Sequence, residues 1–256
     1  MIIADVPFAL GNKAYGSSPL WYNNGDNSNG ESKLAGKAFF PSDMSFNLFE
    51  YFHFCNQLLK KEPKKSNGRG VSSDAPCMVL FCSFEQIPTL IQAAEKHGFV
   101  NHIPLVFIKN YSGQVLKANM RIVGATEYGI VLYRDRLPKF RNDGKMIFNW
   151  MKWEKDGPEI PKCHPTQKVQ SVLRRLIEAF TDPGDVVIDP VAGSGSTLRA
   201  ARDLGRNSYG FEIYKPFYQK AINEMLNENY SEYAMRQADK ETGQINIFDI
   251  GGVTDD

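Results

Sequence analysis

Short apolar runs of strand length alternate with longer amphipathic segments, and this alternation constrains the fold more than any other feature of the chain. The run 77–82 is apolar throughout, which indicates a strand buried on both faces, and 103–108 and 186–189 are also strand-like. The segments 42–61 and 166–180 carry apolar residues three and four positions apart, as amphipathic helices do. Buried strands that alternate with helices predict a doubly wound α/β sheet.

The composition excludes several classes of protein. The 256 residues are 42% hydrophobic and 23% charged, with a formal net charge of +1, which excludes a disordered, collagenous or coiled-coil chain and argues against a strongly basic coat protein. No apolar run approaches the roughly 20 residues that span a bilayer, and no secretory signal precedes the first strand. Four cysteines are too few for a disulfide framework, so we expect reduced thiols and a cytoplasmic location.

A glycine-rich turn between a strand and a helix is the sharpest functional signal. Residues 189–197 read Asp-Pro-Val-Ala-Gly-Ser-Gly-Ser-Thr. Glycines let a ligand approach the backbone closely, and the following helix offers free N–H groups to an anionic group. Glu212 lies about 17 residues beyond Gly195, at the end of the next predicted strand, where a carboxylate can bind a pair of ribose hydroxyls.

Three ligands fit this outline to different degrees. A nucleoside triphosphate is disfavoured because the turn lacks the lysine of a P-loop. A dinucleotide fingerprint requires glycine where this chain has Leu198. S-adenosylmethionine suits the turn better, because its ammonium matches an acid at a strand end and its carboxylate matches backbone donors. A tight packing turn without any ligand remains the alternative.

Three motifs together resemble the amino-DNA methyltransferases, which methylate adenine N6 or cytosine N4. The turn at 189–197 is preceded by His-Pro-Thr-Gln-Lys at 164–168 and by an amphipathic helix. Residues 5–8, Asp-Val-Pro-Phe, resemble the third signature of the family, D/N/S-P-P-Y/F/W, with Val6 at the first proline. The order of the motifs is that of the β class, and the resemblance covers residues 2–212.

The resemblance implies a Rossmann-like S-adenosylmethionine-dependent methyltransferase fold, with a mostly parallel sheet and one antiparallel strand. It implies a bacterial or phage-encoded enzyme that uses S-adenosyl-L-methionine, and a last cofactor-side strand at 245–249. The implied catalytic residues are Asp5, Val6, Pro7 and Phe8. The implied cofactor-binding residues are His164, Pro165, Thr166, Gln167, Lys168, Asp189, Pro190, Gly193, Ser194, Gly195, Ser196, Thr197 and Glu212.

The chemistry explains what an acid at this position can contribute. An exocyclic amino nitrogen is a poor nucleophile because its lone pair is delocalised into the ring. A carboxylate and a backbone carbonyl that accept its two hydrogens localise this lone pair by positioning and electrostatics. The resemblance assigns these parts to Asp5 and the carbonyl of Val6, and gives Phe8 a stacking face. The base must be flipped out of the duplex, and the loop with Trp21 and Tyr22 is either a lid or an ordinary loop.

DNA contact requires local positive charge, and residues 109–168 carry twelve basic against six acidic side chains. We therefore divide the chain into a catalytic and cofactor-binding domain, 1–133 and 163–256, and an inserted target-recognition segment, 134–162. A solvated basic face is the alternative. The candidate DNA-binding residues are Arg121, Arg134, Arg136, Lys139 and Arg141.

The leading hypothesis is a DNA methyltransferase specific for adenine N6, because cytosine-N4 enzymes of the family more often carry serine at the position of Asp5. Alternatives are a cytosine-N4 enzyme, a methyltransferase for RNA or a small molecule, and a non-catalytic relic that binds nucleic acid, which the Val6 substitution keeps open. The resemblance also allows a homodimer and a cognate restriction endonuclease. No metal site is expected, because Cys163-His164 has no partner pair at zinc-finger spacing.

Overall fold

The computed structural model describes residues 1–7, 46–63, 74–110, 114–117, 122–164 and 166–227. Several predicted features lie outside these ranges: Phe8, Trp21, Tyr22, Arg121, Pro165 and the strand 245–249. The strands are β1 (Ile2–Asp5), β2 (Met78–Cys82), β3 (Asn101–Lys109), β4 (Gln114–Lys117), β5 (Ile122–Gly124), β6 (Thr126–Tyr133), β7 (Trp150–Trp153), β8 (Val186–Asp189) and β9 (Asn207–Gly210). The helices are α1 (Leu48–Leu58), α2 (Ile87–Glu95), α3 (Gln170–Phe180), α4 (Ser196–Asp203) and α5 (Lys215–Lys220), which continues as a π-helical turn, Ala221–Met225.

Seven strands form one sheet in the order β7-β3-β6-β2-β1-β8-β9. Strand β6 runs antiparallel to both of its neighbours, β2 and β3, and the other described pairs in this sheet are parallel. The predicted fold class, a mostly parallel sheet with one antiparallel strand, is therefore confirmed. Because β1 lies between β2 and β8, the first residues of the chain occupy the middle of the sheet.

Two apolar layers cover the sheet, and the alternation of side chains along β1 supplies both. Ile3 joins the layer that contains the buried face of α3, whereas Ile2 and Ala4 join the layer under α1 and α2. A central strand with both faces buried must be apolar throughout, which explains why β1 and β2 lack polar residues before their ends. None of the helices in the described ranges is long and apolar enough to cross a bilayer.

Two helices begin within the segments that the sequence assigns to them, and each start has a local cause. Helix α1 begins at Leu48 because the side chain of Asn47 accepts the N–H groups of Phe49 and Glu50 as an N-cap. Helix α3 was expected from Thr166 but begins at Gln170, whose N–H donates to Asp156 Oδ1 at 2.8 Å. Residues 166–168 therefore lie before the helix and not within it.

Part of the predicted target-recognition segment, 134–162, joins the main sheet, and the predicted domain division stays a prediction. Its residues 150–153 form β7, which pairs in parallel with β3 at the edge of the main sheet. Trp153 is 4% exposed and contacts Phe81 and Phe107 edge-to-face at ring distances of 6.5 and 6.1 Å. Strand β7 therefore contributes a side chain to the core of the catalytic domain.

This packing predicts unequal effects of two tryptophan substitutions in β7. Trp153→Ala should lower the free energy of unfolding by about 3–5 kcal/mol, the usual cost of truncating a buried aromatic side chain. Trp150→Ala is the matched control, because Trp150 is 42% exposed and should cost far less. Denaturant unfolding measures both values. Equal, small costs would support an inserted segment independent of the core.

Candidate functional site

Three carboxylates converge at one edge of the sheet, because the parallel strands that carry them end there. Asp5 is the last residue of β1, Asp189 is the last residue of β8, and Glu212 follows β9 by two residues. Strands β1, β8 and β9 are neighbours and parallel. Asp5 and Glu212 are both close enough to Asp189 to raise its pKa. This edge is therefore a concentration of negative charge.

The glycine-rich turn closes against Glu212. Gly193 and Gly195 have φ values of +48° and +76°, a region that residues with a side chain rarely adopt. The Gly193 N–H donates to Glu212 Oε2 at 2.9 Å, and the Tyr214 N–H donates to Oε1 at 2.6 Å. Gly195 is the N-cap of α4. The turn thus holds the carboxylate of Glu212 beside the amino end of a helix.

Asp189 is buried without losing its polar contacts. It is 3% exposed, and its Oδ1 accepts the Val191 N–H at 3.1 Å. Burial raises the pKa of Asp189 to about 7, and hydrogen bonds from Thr197 and Val191 offset only part of this effect. A buried carboxylate among other acids would be stabilised in its charged form by a cationic ligand.

The first part of the 164–168 motif lies beside this turn. The His164 ring packs edge-to-face on Phe217 at 4.4 Å, and its Nδ1 lies 3.1 Å from Thr166 Oγ1. A Cβ atom at Gly193 would lie 3.6 Å from the His164 ring, so the ring lies beside the turn. Burial and the nearby Lys168 lower the pKa of His164 to about 4, so the imidazole is neutral at pH 7.

The rest of the motif points elsewhere. Gln167 braces the preceding loop, since its side chain accepts the Cys163 N–H and donates to the Pro161 carbonyl, both at 2.9 Å. The Lys168 ammonium lies 2.6 Å from Oδ2 of Asp5. The cofactor role of the whole motif stays a prediction, and the described contacts support it for His164 and Thr166 better than for Gln167 and Lys168.

The chain leaving β1 is held by a residue that the sequence analysis missed. Val6 is 1% exposed, and the carbonyl of Pro7 accepts Gln86 Nε2 at 2.8 Å. Gln86 Oε1 also accepts the Ser83 N–H at 3.2 Å. The pattern Ser-x-x-Gln at 83–86 is that of a capping box, and it could have identified this turn in the sequence. The turn after β2 therefore supports the segment that follows Asp5.

An aromatic pair lies at the same edge of the sheet. Phe84 belongs to the turn after β2, is 62% exposed, and contacts the Tyr128 ring at 5.4 Å. Tyr128 is opposite Cys82, the last residue of β2, in the antiparallel pair β2–β6. An exposed phenyl ring here offers a face on which a planar ring can stack.

The candidate DNA-binding residues within the described ranges, Arg134, Arg136, Lys139 and Arg141, are at the opposite end of the sheet. Arg134 follows β6, which runs antiparallel, and its guanidinium donates to Asn56 Oδ1 at 2.6 Å and lies over the Phe99 ring. Lys139 and Arg141 form salt bridges to acids that precede β8, at the amino end of that strand.

The side chains of Arg134, Lys139 and Arg141 thus each have an intramolecular partner at the end of the sheet away from Asp5. The Arg136 backbone N–H donates to Glu62. DNA contact by Arg134, Arg136, Lys139 and Arg141 stays a prediction, and their placement argues against it.

Comparisons with known proteins agree with this geometry. A family model described as DNA methylase, for N6 and N4 methyltransferases, matches residues 1–224. The chain is 27% identical to the DNA adenine methyltransferase YhdJ of Escherichia coli K12 over 77% of this chain and 73% of the relative. It is 33% identical to the putative methylase YubD of the same strain, over 56% of this chain and 58% of the relative.

Solved structures show the same architecture. The S-adenosylmethionine complex of M1.HpyAVI has a TM-score of 0.55 and 28% identity, with 71% of this chain and 97% of that chain covered. The PvuII cytosine-N4-specific DNA methyltransferase has a TM-score of 0.59 over 95% of this chain and 86% of its own, and at 15% identity it supports the fold alone.

The family model spans the strand that ends in Asp5, the 164–168 motif and the glycine-rich turn, and so covers the three motifs from which the family was predicted. That prediction is confirmed: the chain belongs to the N6/N4 DNA methyltransferase family.

Proposed function

We propose that this protein transfers a methyl group from S-adenosyl-L-methionine to the exocyclic amino group of a flipped-out DNA base, and that the base is adenine. The observation that carries the proposal is the convergence of Asp5 with the glycine-rich turn at one edge of the sheet. Family membership supports the reaction class, and the preference for adenine is supported by the acid at position 5 and by the name of one relative.

The charge of the site suits this cofactor. S-adenosyl-L-methionine supplies, when bound, an electrophilic methyl group on a positively charged sulfonium, and it also carries an ammonium group. Asp189 and Glu212 lie at the glycine-rich turn and form a region complementary to positive charge, whereas Asp5 is paired with Lys168. In our proposal Asp189 binds the ammonium, the backbone of 193–195 lies along the methionine part, and Glu212 binds the ribose hydroxyls.

Asp5 acts on the base. Its carboxylate and the Val6 carbonyl accept the two hydrogens of the target amine, which localises the nitrogen lone pair toward the methyl group. As the new N–C bond forms, the nitrogen becomes cationic and must release one proton. The Asp5 carboxylate is the acceptor in contact with that hydrogen, and solvent takes the proton from it.

The aromatic edge gives the base a place to stack. Extrusion of a base from a duplex costs a few kcal/mol, which stacking on an aromatic ring offsets in part. Phe84 and Tyr128 lie at the same edge as Asp5, and Phe84 is exposed enough to contact a planar ligand. We assign this contact to Phe84, alongside the one that the family resemblance implies for Phe8.

Adenine is favoured over cytosine for two reasons. The family resemblance associates an acid at position 5 with adenine enzymes, and the relative YhdJ is named a DNA adenine methyltransferase. Cytosine N4 is the second candidate, because its amine presents the same two hydrogens to the same acceptors.

The product identifies the target base directly. We expect incubation with isotopically labelled S-adenosyl-L-methionine and unmodified DNA to give labelled N6-methyladenine, measured by mass spectrometry of the nucleosides. Recovery of N4-methylcytosine would replace the adenine assignment. Transfer to RNA alone, or binding of the cofactor without transfer to any nucleic acid, would favour the other hypotheses.

Asp5→Asn should lower kcat by roughly a hundredfold or more, because an amide is a weaker acceptor than a carboxylate and presents an N–H to the amine. Its affinity for S-adenosyl-L-methionine, measured by isothermal titration, should change little. Asp135→Asn is the control, an exposed acid just after β6 at the opposite end of the sheet. A fully active Asp5→Asn enzyme would contradict the assigned role.

Binding of the cofactor should depend on pH through Asp189. Its raised pKa of about 7 means that part of the free protein carries a neutral Asp189 near neutral pH. A ligand ammonium favours the carboxylate, so the Kd should fall as pH rises from 5.5 to 7.5, by up to roughly tenfold per pH unit below the pKa. Isothermal titration across this range measures the effect.

Asp189→Asn is the matched variant for that titration. It should bind the cofactor more weakly at pH 7.5 and lose the pH dependence. Because a raised carboxyl pKa destabilises the folded protein once pH exceeds the unfolded value near 4, the cofactor-free variant should melt higher than the parent at pH 8. Unchanged affinity with an unchanged pH profile would contradict the ammonium contact.

A further inference from the structure

We propose that Lys168 is a positioning residue for the catalytic acid: its buried ammonium keeps Asp5 ionised and in one orientation, and Glu127 and Lys109 anchor it there. The inference rests on the proposed function of Asp5. It replaces the cofactor-binding role that the family resemblance implies for Lys168.

The contact is short, buried and formed by distant parts of the chain. Lys168 Nζ lies 2.6 Å from Asp5 Oδ2, and the Lys168 side chain is 7% exposed. The ammonium lies 5.4 Å from the centre of the Phe81 ring and 5.8 Å from that of Trp153. Aromatic faces stabilise a cation but accept no conventional hydrogen bond; the ammonium also donates to the Thr166 carbonyl at 3.5 Å, and Asp5 is its shorter contact.

A second ion pair fixes the ammonium from the other side. Lys168 Nζ lies 3.4 Å from Glu127 Oε2, and Glu127 Oε1 accepts a short hydrogen bond from Lys109. Lys109 Nζ in turn lies 4.9 Å from the centre of the Trp153 ring. The four groups alternate in charge from Asp5 to Lys109, so the burial of each is compensated by its neighbour.

The electrostatics keep this chain of groups charged. Burial alone would lower the pKa of Lys168, but Asp5 and Glu127 outweigh burial and raise it above its ordinary value. Burial would likewise raise the pKa of Glu127, but Lys168 and Lys109 outweigh it and lower it. At neutral pH Lys168 is therefore a full cation at hydrogen-bond distance from Asp5.

A nearby cation favours the charged form of Asp5 against the repulsion of Asp189. The two carboxylates are close enough to interact unfavourably. A protonated Asp5 has fewer and weaker acceptor sites and carries a donor of its own, whereas a carboxylate has about four acceptor sites for the lysine ammonium and the amine hydrogen. The titratable groups that face the pair are Asp189, Cys82, Glu127, Lys109 and His164.

The backbone explains how Lys168 reaches this position. Helix α3 begins only at Gln170, and its N-cap, Val169, is extended with ψ 147°. If the helix began at Thr166, residue 168 would lie within it, and the helical geometry would set the direction of its side chain. Because the helix begins later, the His164 ring lies beside the glycine-rich turn and the Lys168 ammonium contacts Asp5. One short motif therefore reaches both halves of the site.

The test compares Lys168→Met with Lys168→Arg. In Lys168→Met the Asp5 carboxylate becomes easier to protonate, so the acid limb of the kcat–pH profile should move up by at least about one pH unit, a roughly tenfold loss at low pH. The KM for S-adenosyl-L-methionine should stay within about twofold. Lys168→Arg keeps the charge and should restore much of the profile, and Lys152→Met, on an exposed β7 lysine, should change neither quantity.

A second variant distinguishes loss of the ion pair from a disturbance of the fold by Lys168→Met. Lys109→Met leaves Lys168 in place but removes the other cation from Glu127, which then competes more strongly for Lys168. Its acid limb should move in the same direction by a smaller amount. Thermal melting and cofactor titration of each variant report whether the fold and the cofactor site are retained.

A readout without turnover separates this inference from the proposed function. The carboxyl ¹³C shift of Asp5, followed against pH by NMR in labelled protein, should titrate at a higher pH in Lys168→Met than in the parent. If the parent methylates no DNA, the proposed function fails while this titration still tests the role of Lys168. An unmoved titration, or a large loss of cofactor affinity with an unmoved pH profile, would overturn the inference.

Discussion

The pairing of β1 with β8 is the interaction on which the candidate site depends. It joins residues that are 186 positions apart, with Ile2 opposite Ile188. A further backbone hydrogen bond strengthens it, because the Ile188 N–H donates to the Met1 carbonyl at 3.0 Å. Both strands are parallel, so the pairing delivers Asp5 and Asp189 to the same edge. A strand register that moved Asp5 away from Asp189 would divide the candidate site into two incomplete parts.

Charge then gives the two halves different tasks. On the side of the turn, burial raises the pKa of Asp189, and acids are its neighbours, which suits a positively charged ligand. On the other side, Asp5 is paired with a buried lysine that Glu127 also holds. In our proposal Asp189 binds a cation of the ligand, whereas Asp5 is paired with a cation of the protein. The two carboxylates therefore differ in function although they lie close together. This division follows from the side chains contributed by the 164–168 motif and by β6.

The sequence predicts much of this arrangement and misses parts with clear causes. Apolar runs identify β1, β2 and β8, and the glycine-rich turn identifies the ligand edge, because these features are local. Strand β7 has only four residues between polar flanks, so no periodicity reveals it. The partners of Lys168 and Lys139 cannot be inferred from the sequence, since they are carboxylates brought near by the sheet from distant positions. A count of basic residues therefore overestimates the surface that is available for DNA.

The most direct test of the central claim, that the two halves form one site, is a crystal structure of the protein with S-adenosyl-L-methionine. We expect the ammonium at Asp189, the ribose at Glu212, and the sulfonium methyl facing Asp5 across a gap that one base can fill. A cofactor bound away from the 189–197 turn, or a methyl group directed away from Asp5, would contradict it.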